Sequence, residues 1–380
     1  MKDRVAVIDG IRTPFCKAGG VFRDWQADDL GAFVVRELLA RSPISPEEVD
    51  ELIFGNVLQP PHASNVARVL AVKGGLPITV PAFTVNRNCA SGMEAIASAV
   101  NKILIGNADI VIAGGTESMS NFPILFRKEM RELLRRFSKA KTWKQRMKLL
   151  FSFRFSYLIP EIPAIADPIC GLSMGQCGEI LSREFKITRQ DQDEYALMSQ
   201  QRSAKAMDEG WLAEEIVPIP SFPGLEVQTF DDGIRPDTNF EALSKLRTAF
   251  DKVTGTVTAG NSSQVTDGAA AVLLMRESKA KKRNLTPLGY IRDYSYAALE
   301  PSLMGLGPVY AISKLLEKTR LQLGDIDLIE INEAFASQVI SVERALASDE
   351  FAKKELGRDK AVGELDLERL NVNGGAIALG

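Results

Sequence analysis

Cys89 is the residue whose type and setting best suit covalent chemistry. It lies in the run Val85-Asn86-Arg87-Asn88-Cys89-Ala90-Ser91-Gly92, where a strand-like segment meets a turn of small residues and a helical pattern follows. The sulfur is thereby predicted to sit at a helix N-terminus, where unpaired N–H groups and the positive end of the helix dipole favour thiolate over thiol. We therefore predict that Cys89 is a nucleophile. The competing interpretation is a buried cysteine that acts as a small apolar residue.

The other cysteines and the histidine argue against several kinds of site. No Cys-x-x-Cys pair occurs among the four cysteines (Cys16, Cys89, Cys170 and Cys177), and His62 is the only histidine. A zinc site and a disulfide framework are therefore not expected. No Walker loop and no Gly-x-Gly-x-x-Gly follows a strand, so nucleotide-phosphate and NAD chemistry find no support. We expect His62 to be a loop histidine near the surface, and we expect no metal and no cofactor.

Four stretches of the chain resemble the motifs of thiolases, in the order in which that family has them. They are the surroundings of Cys89, residues 107–119, residues 255–263 with Asp267-Gly268-Ala269, and the run Asn332-Glu333-Ala334-Phe335-Ala336. The resemblance covers residues 5–380. It implies an α/β thiolase fold, in which two duplicated βαβ-type halves form a five-layer αβαβα arrangement with a helical loop domain inserted.

The resemblance also implies a reaction. The Cys89 thiolate would attack the 3-keto carbon of a 3-ketoacyl-CoA and expel the enolate of acetyl-CoA, after which the thiol of CoA takes the shortened acyl group from the sulfur. The backbone N–H of Cys89 would serve as one oxyanion donor, and Asn332 would hold a water that hydrogen-bonds the thioester oxygen. The alternative role for Asn332 is a helix N-cap for the residues that follow it.

Binding of CoA, as a substrate, carries over onto residues that resemble the family's pantetheine tunnel. Ala259 and Ser263 match positions whose backbone and hydroxyl meet the pantetheine. The apolar walls would be Met174, Ala249, Phe250, Ala334 and Phe335. For each of these residues, packing in the core is the alternative interpretation.

An internal repeat indicates how these residues are positioned. Residues 35–39 and 49–54 match residues 312–316 and 326–331, and both pairs are 277 positions apart. Each copy reads as an amphipathic helix, a short turn and an apolar strand, which is typical of α/β proteins. We predict an N-terminal thiolase half at 1–119 and 247–276, a loop domain at 120–246 and a C-terminal half at 277–380.

The second copy of the repeat stops earlier than the first. In the first copy a helix and the central strand at residues 110–113 follow the nucleophile turn, whereas in the second copy the comparable turn, residues 371–380, is the last segment. The resemblance implies that a His-Pro pair, and then a second cysteine followed by glycine, come after this turn. We therefore expect the natural chain to continue beyond Gly380, and a C-terminal half that stops at Gly380 to be incomplete.

The predicted loop domain contains a concentrated positive charge. Residues 127–154 carry eleven Lys or Arg and two Glu, a local charge of +9 in a chain whose net charge is -3. Large apolar residues recur there at helical spacing, which predicts basic amphipathic helices. We expect them to dock on an anionic membrane or a protein partner, or to meet the phosphates of CoA; the alternative is an ordinary solvated face. The residues expected to dock are Arg135, Arg136, Lys139, Lys141, Lys144 and Lys148.

The same segment narrows the resemblance to one subgroup. The run 137–149, with Gly233-Ile234-Arg235-Pro236 and Leu306-Gly307-Pro308, resembles the long-chain 3-ketoacyl-CoA thiolase (beta) subunit of the trifunctional β-oxidation complex. A homodimer and a hydratase/dehydrogenase alpha subunit are the partners that this implies, and nucleic acid is not expected. Asn332 departs from this subgroup, because many of its members have histidine there.

Two other functions stay open at this stage. One is a condensing enzyme, either an acetyl-CoA C-acetyltransferase or a ketosynthase, although the Asn332 motif argues against a ketosynthase. The other is a non-catalytic CoA-binding or scaffolding subunit, if the chain ends at Gly380. The start of the sequence leads directly into the strand-like run Val5-Ala6-Val7-Ile8, and no apolar run approaches the length of a membrane span. We therefore expect a cytoplasmic protein, peripheral to a membrane at most.

Overall fold

The computed structural model describes residues 3–161, 166–220 and 226–380. Its strands, in chain order, are β1 (Val5–Arg12), β2 (Cys16–Lys17), β3 (Glu51–Gly55), β4 (Ala82–Val85), β5 (Ile110–Ser118), β6 (Leu125–Phe126), β7 (Pro160–Glu161), β8 (Ile219–Pro220), β9 (Val227–Gln228), β10 (Thr266–Arg276) and β11 (Gly289–Ile291). Its α-helices are α1 (Ala27–Arg41), α2 (Val66–Lys73), α3 (Ser91–Leu104), α4 (Lys128–Lys139), α5 (Trp143–Phe151), α6 (Met174–Glu184), α7 (Arg189–Asp208), α8 (Phe240–Ser244), α9 (Glu277–Lys282), α10 (Gly307–Thr319), α11 (Ala336–Leu346), α12 (Asp349–Phe351) and α13 (Ala376–Leu379).

One mixed sheet of seven strands is built from segments within residues 5–118 and 266–291. Its order is β11-β1-β10-β5-β3-β4, with β2 paired to β10. β10 is antiparallel to β1 and β5, whereas β3 is parallel to both β5 and β4. β11 follows the predicted boundary at residue 276 and nevertheless pairs with β1. The domain boundaries themselves stay a prediction.

Helices cover both faces of this sheet. In β5, Ile110 and Ile112 face the cluster that contains α1 and α2, whereas Val111 and Ala113 face the cluster that contains α3. All four side chains are fully buried, as expected for a central strand covered on two sides. Burial of each large side chain stabilises the fold by roughly 1.5–3 kcal/mol. The helix–sheet–helix packing fixes α3, and with it the turn that precedes α3.

The segment between β5 and β10 contains α4 to α8 and no strand of the main sheet among its described residues. Its first part is an arm in which α4 and α5 follow one another and the antiparallel pair β6–β7 closes the base. We call this arm, residues 125–161, the basic hairpin. Every helix in the described parts of the chain is too short or too polar to span a bilayer.

The internal repeat is visible in the C-terminal part. The 3-10 helices Pro46–Glu48 and Leu323–Asp325 are 277 positions apart, and each begins with a capping box. The parallel pairing of Leu52 with Ala82 has its counterpart in a bridge between Ile329 and Leu370. The strand predicted at residues 326–331 is, however, reduced to that one bridge. A ladder needs a neighbour along its length, and only Leu370 supplies one among the described residues.

Candidate active site

Cys89 lies in the turn between β4 and α3, and its side chain is exposed. Ala90 occupies the N-cap position of α3 and Ser91 is the first helical residue. The prediction that Cys89 lies at a helix N-terminus is confirmed, and the alternative of a buried apolar cysteine is wrong. An exposed sulfur beside the first turn of a helix is accessible to a substrate.

Hydrogen bonds within the turn hold this position. The Arg87 N–H donates to the Ser91 hydroxyl oxygen (2.8 Å), and the Ser91 hydroxyl donates to the Asn88 carbonyl (2.6 Å). Asn88 has a φ of 48°, the left-handed conformation that asparagine tolerates better than most residues. The Asn86 side-chain oxygen accepts the Asn88 N–H at 3.0 Å. The backbone on the N-terminal side of Cys89 is therefore fixed by polar side chains.

Gly55, the last residue of β3, lets α3 approach the sheet. A Cβ atom at this position would lie 2.5 Å from the Ser91 carbonyl carbon, closer than real contacts allow. On the next strand, a Cβ at Gly115 would lie 3.6 Å from Gly92. The 3.6 Å at Gly115 is an ordinary van der Waals distance, so it is the missing Cβ of Gly55 that lets the start of α3 pack this closely against the sheet.

Asn332 is exposed in the loop before α11, and it does not cap a helix. α11 begins at Ala336, with Phe335 in the N-cap position. The Ala336 N–H donates to the Asn261 carbonyl (2.9 Å), which fixes the start of the helix four residues after Asn332. The alternative interpretation of Asn332 as an N-cap is therefore wrong, and its side chain is left accessible.

Glu333 is a residue that sequence reasoning did not identify. It is fully buried. Its carboxylate accepts hydrogen bonds from the hydroxyls of Tyr195 (3.1 Å) and Ser199 (2.6 Å), the Asn371 amide (2.9 Å) and the Ile377 N–H (3.1 Å). Burial and the neighbouring carboxylate raise the pKa of Tyr195, which keeps its hydroxyl protonated as a donor. The only sequence signal was a carboxylate beside Asn332, since its partners lie far away along the chain.

Several of the predicted CoA-binding residues are brought together. The Ser263 N–H donates to the Ala334 carbonyl (3.0 Å), and the rings of Phe250 and Phe335 meet edge to face with centroids 5.9 Å apart. A Cβ at Gly175, next to Met174 on α6, would lie 2.2 Å from the Phe250 ring. These contacts form an apolar wall at the start of α6 and α11.

The alternative of core packing holds for some of these residues only. Phe335 is 7% exposed and belongs to the core, whereas Phe250 is 39% exposed. Ala249 and Ala259 are also exposed, so core packing is wrong for Ala249, Phe250 and Ala259. The Ala249 N–H donates to the Val257 carbonyl (2.9 Å), which ties Ala249 to the strand-like residues before Ala259.

The turn that carries Ala259 and Ser263 is organised by buried polar groups. The Asn261 amide donates to Asp193 (3.0 Å), and its oxygen accepts the Thr258 N–H (2.8 Å). The buried Glu179 carboxylate accepts the Thr256 N–H at 2.9 and 3.0 Å. Glu179 was not identified from the sequence, because 77 residues separate it from Thr256.

His62 lies away from these residues, in the loop after β3. Its Nε2 is 2.9 Å from Oδ1 of Asp28, and its ring is half exposed. Burial alone would raise the pKa of Asp28, but hydrogen bonds from Lys73 and His62 outweigh it and lower the pKa. This placement agrees with the prediction of a loop histidine.

The basic hairpin exposes both charge and apolar surface. Trp143 is 70% exposed and Phe151 is 85% exposed. Of the eleven basic residues, Arg131 forms an ion pair with Glu161 (3.2 Å) and Arg135 forms one with Glu132 (3.5 Å). A groove of about 460 Å³ between the two helices is lined by Arg136, Lys139, Ala140, Gln145, Lys148, Leu149 and Ser152. The predicted amphipathic helices are present, and their apolar residues are largely unburied in the described parts of the chain.

Comparisons with known proteins agree with this geometry. Residues 5–278 match the model of the thiolase N-terminal domain, and residues 285–380 match that of the thiolase C-terminal domain. The chain is 42% identical over 379 residues to the 3-ketoacyl-CoA thiolase of Yersinia enterocolitica, and 43% identical over the same length to that of Photorhabdus laumondii. In each case the match spans 100% of this chain and 87% of the relative.

Solved structures of two related enzymes are also similar to this chain over its whole length. Human mitochondrial 3-ketoacyl-CoA thiolase in complex with CoA is similar with a TM-score of 0.83 and 39% identity, over 100% of this chain and 87% of that chain. The Bacillus anthracis acetyl-CoA acetyltransferase has a TM-score of 0.84 and 35% identity, over 100% of this chain and 88% of its own. Similarity at this level extends to the whole α/β fold.

Proposed function

Because the chain belongs to the thiolase family, a family of acyltransferases, we propose that it cleaves a 3-ketoacyl-CoA with CoA, as in β-oxidation. The products are acetyl-CoA and an acyl-CoA that is two carbons shorter. The observation that carries this proposal is the similarity, over the whole of this chain, to relatives named 3-ketoacyl-CoA thiolase. The exposed Cys89 at the start of α3 supports it.

In the proposed first step, the Cys89 thiolate adds to the 3-keto carbon of the substrate. The bond between C2 and C3 then breaks, acetyl-CoA leaves as its enolate and takes up a proton, and the shortened acyl group stays on the sulfur. Covalent catalysis divides a difficult cleavage into two transfers, each of which passes through an oxyanion. The Cys89 N–H would donate to one oxyanion, and a water held by Asn332 would hydrogen-bond the thioester oxygen of the leaving acetyl-CoA.

In the second step, the thiol of CoA gives up its proton and attacks the acyl group on Cys89, and the Cys89 sulfur leaves as the thiolate. The proton released here balances the one that the enolate takes up in the first step. The wall formed by Phe250, Ser263 and Phe335 offers apolar surface with a few polar groups, which suits a pantetheine arm. Met174, Ala249, Ala259 and Ala334 are proposed to complete this tunnel. CoA is a substrate in this scheme, and no cofactor is proposed.

A second candidate function is the same chemistry run in the condensing direction. The similarity to the acetyl-CoA acetyltransferase of Bacillus anthracis favours it, at 35% identity over the whole chain. Both directions use one cysteine and one CoA tunnel, so the sites do not distinguish them. A scaffolding subunit is the outcome if neither direction is catalysed.

The proposed function is tested by incubating the full-length natural protein with CoA and 3-ketoacyl-CoAs of about 6 to about 16 carbons. We expect acetyl-CoA and the shortened acyl-CoA in equal amounts, measured by mass spectrometry. Acetoacetyl-CoA formed from acetyl-CoA, without cleavage of any longer substrate, would favour the condensing function. Absence of both reactions, with CoA still bound, would favour the scaffold.

We expect the basic hairpin to dock on an anionic lipid surface, with a hydratase/dehydrogenase partner as the alternative. Each basic side chain near such a surface contributes roughly 1 kcal/mol. Exposed Trp143, Phe151 and Phe155 can insert their rings at the interface. Replacing Arg135, Arg136, Lys139, Lys141, Lys144 and Lys148 with glutamine should abolish salt-sensitive sedimentation with anionic vesicles and spare turnover of a short substrate.

The matched control replaces six exposed lysines outside the hairpin with glutamine: Lys205, Lys245, Lys314, Lys353, Lys354 and Lys360. This variant should bind vesicles like the wild type, because its hairpin is intact. If the hairpin variant still sediments with vesicles, lipid docking is wrong. Loss of partner binding alone would identify the hairpin as a protein interface.

A homodimer is also proposed. β4 is an edge strand of the main sheet and runs directly into the turn that holds Cys89. An edge strand presents unpaired N–H and C=O groups that a second chain can satisfy. Analytical ultracentrifugation should give the mass of two chains. The mass of a single chain would contradict the homodimer.

A further inference from the structure

Glu117 is a carboxylate near the end of β5 that no step of the proposed reaction uses. It is half-buried, and no lysine or arginine forms an ion pair with it in the part of the chain that the structure describes. Its oxygens instead accept hydrogen bonds from the loop after β3: the N–H of Val57 (2.8 Å), the N–H of Leu58 (3.1 Å) and the amide of Asn56 (3.1 Å). Three donors on one carboxylate fix the path of that loop.

These three hydrogen bonds offset part of the free-energy cost of burying the Glu117 carboxylate. Burial raises the pKa of Glu117 in spite of the N–H donors, and the nearby Asp267 adds to the effect. A charge held without a cation partner in such surroundings is costly. A role beyond the closure of this loop would account for a carboxylate placed there at such a cost.

The loop connects Glu117 to the turn that holds Cys89. The Val57 carbonyl accepts a hydrogen bond from the Asn86 amide (3.3 Å), and the Asn86 oxygen accepts the Asn88 N–H (3.0 Å). Asn88, in the left-handed conformation, immediately precedes Cys89. The Asn56 N–H also donates to the Val85 carbonyl at the end of β4 (3.2 Å). Glu117 is therefore connected to the turn by two hydrogen-bonded routes, one through Val57 and Asn86 and the other through Asn56 and the end of β4. We call these contacts the relay.

We propose that Glu117 is a positioning residue for Cys89, acting through Val57 and Asn86 to hold the nucleophile turn in its reactive geometry. The proposal rests on the proposed function for its link to turnover, but the position of the sulfur can be measured without it. A displacement of about 1 Å from the productive geometry can cost as much as 10²-fold in rate. Because Glu117 acts through Val57 and Asn86 and does not contact the sulfur, we expect its replacement to lower the rate by less, roughly tenfold.

The test replaces Glu117 with glutamine, which keeps the volume but turns an NH₂ group toward one of the N–H donors. We expect the rate of Cys89 alkylation by iodoacetamide, followed on the Cys89 peptide by mass spectrometry, to fall about tenfold. Single-turnover acylation by a 3-ketoacyl-CoA should fall to a similar extent, with little change in KM. Glu51→Gln, which alters a carboxylate at the other end of β3 paired with Lys102, is the matched control and should leave both rates unchanged.

Asn86→Ala breaks the relay one step later and serves if the Glu117 variant does not fold. We expect it to slow alkylation as Glu117→Gln does, and we expect the double variant to be no slower than either single one, because residues of one relay are not additive. Wild-type alkylation and acylation rates in both variants, with only a lower melting temperature, would overturn the proposal. Slowed alkylation in a protein that cleaves no 3-ketoacyl-CoA would support the positioning role and count against the proposed function alone.

Discussion

Replacing Cys89 with serine should lower the turnover of a 3-ketoacyl-CoA by about 10³-fold or more in the full-length protein. The reason is that a serine hydroxyl is far less ionised than a thiol at neutral pH, so little nucleophile remains. The fold should be kept, because Cys89 is exposed and contributes nothing to the core. The measurements are steady-state turnover and the melting temperature, which we expect to be unchanged. Cys170→Ser, at a partly exposed cysteine outside the proposed machinery, is the matched control and should keep wild-type turnover.

The same assignment predicts where the acyl group is found. After brief exposure to an acyl-CoA, mass spectrometry of the wild type should place the added acyl mass on the peptide that contains Cys89. The Cys89→Ser variant should carry no thioester-linked acyl group. Acylation confined to Cys16, Cys170 or Cys177 would show that another cysteine is the nucleophile. Cys16 and Cys177 are buried, so acylation there would also require the protein to open.

The features predicted correctly from the sequence are those whose causes are local. The helix after Cys89 follows from the turn residues and apolar spacing around it, and the buried strand at residues 110–113 follows from an uninterrupted apolar run. The amphipathic α4 and α5 likewise follow from spacing within a few turns. The thiolase family, inferred from four short motifs, is confirmed by matches to both domain models.

The features that could not be predicted depend on partners far away along the chain. Glu333 binds Tyr195, 138 residues earlier, and Glu117 binds the loop at Val57, 60 residues earlier. Both glutamates lie in stretches that resemble family motifs, but the neighbouring residues do not show which distant groups each carboxylate binds. The N-cap alternative for Asn332 is wrong for the same reason, because the Asn261 carbonyl fixes the start of α11 from 75 residues away. The strand at residues 326–331 has the right apolar pattern, but a pattern does not supply the neighbouring strand.

Asn332→Ala should lower kcat by about 10²-fold with a smaller effect on KM, because a donor that acts mainly in the transition state affects turnover more than binding. The structure indicates that this change will not disturb the fold. On one side of Asn332, the Ile331 N–H donates to Asn371 (2.8 Å), and on the other side Glu333 is buried among its four donors. The backbone is therefore held by its neighbours, whereas the Asn332 side chain itself is exposed.

The measurement is steady-state kinetics of the full-length variant with a 3-ketoacyl-CoA, together with its melting temperature. Asn107→Ala is the matched control, since Asn107 is an exposed asparagine in the loop before β5 and has no role in the proposed reaction. Both variants should melt like the wild type, and only Asn332→Ala should be slow. A wild-type kcat for Asn332→Ala would mean that the water it is proposed to hold plays no part in catalysis. Because the N-cap alternative is already excluded, Asn332 would then be only an exposed loop residue, and the donor for the enolate would have to be sought elsewhere.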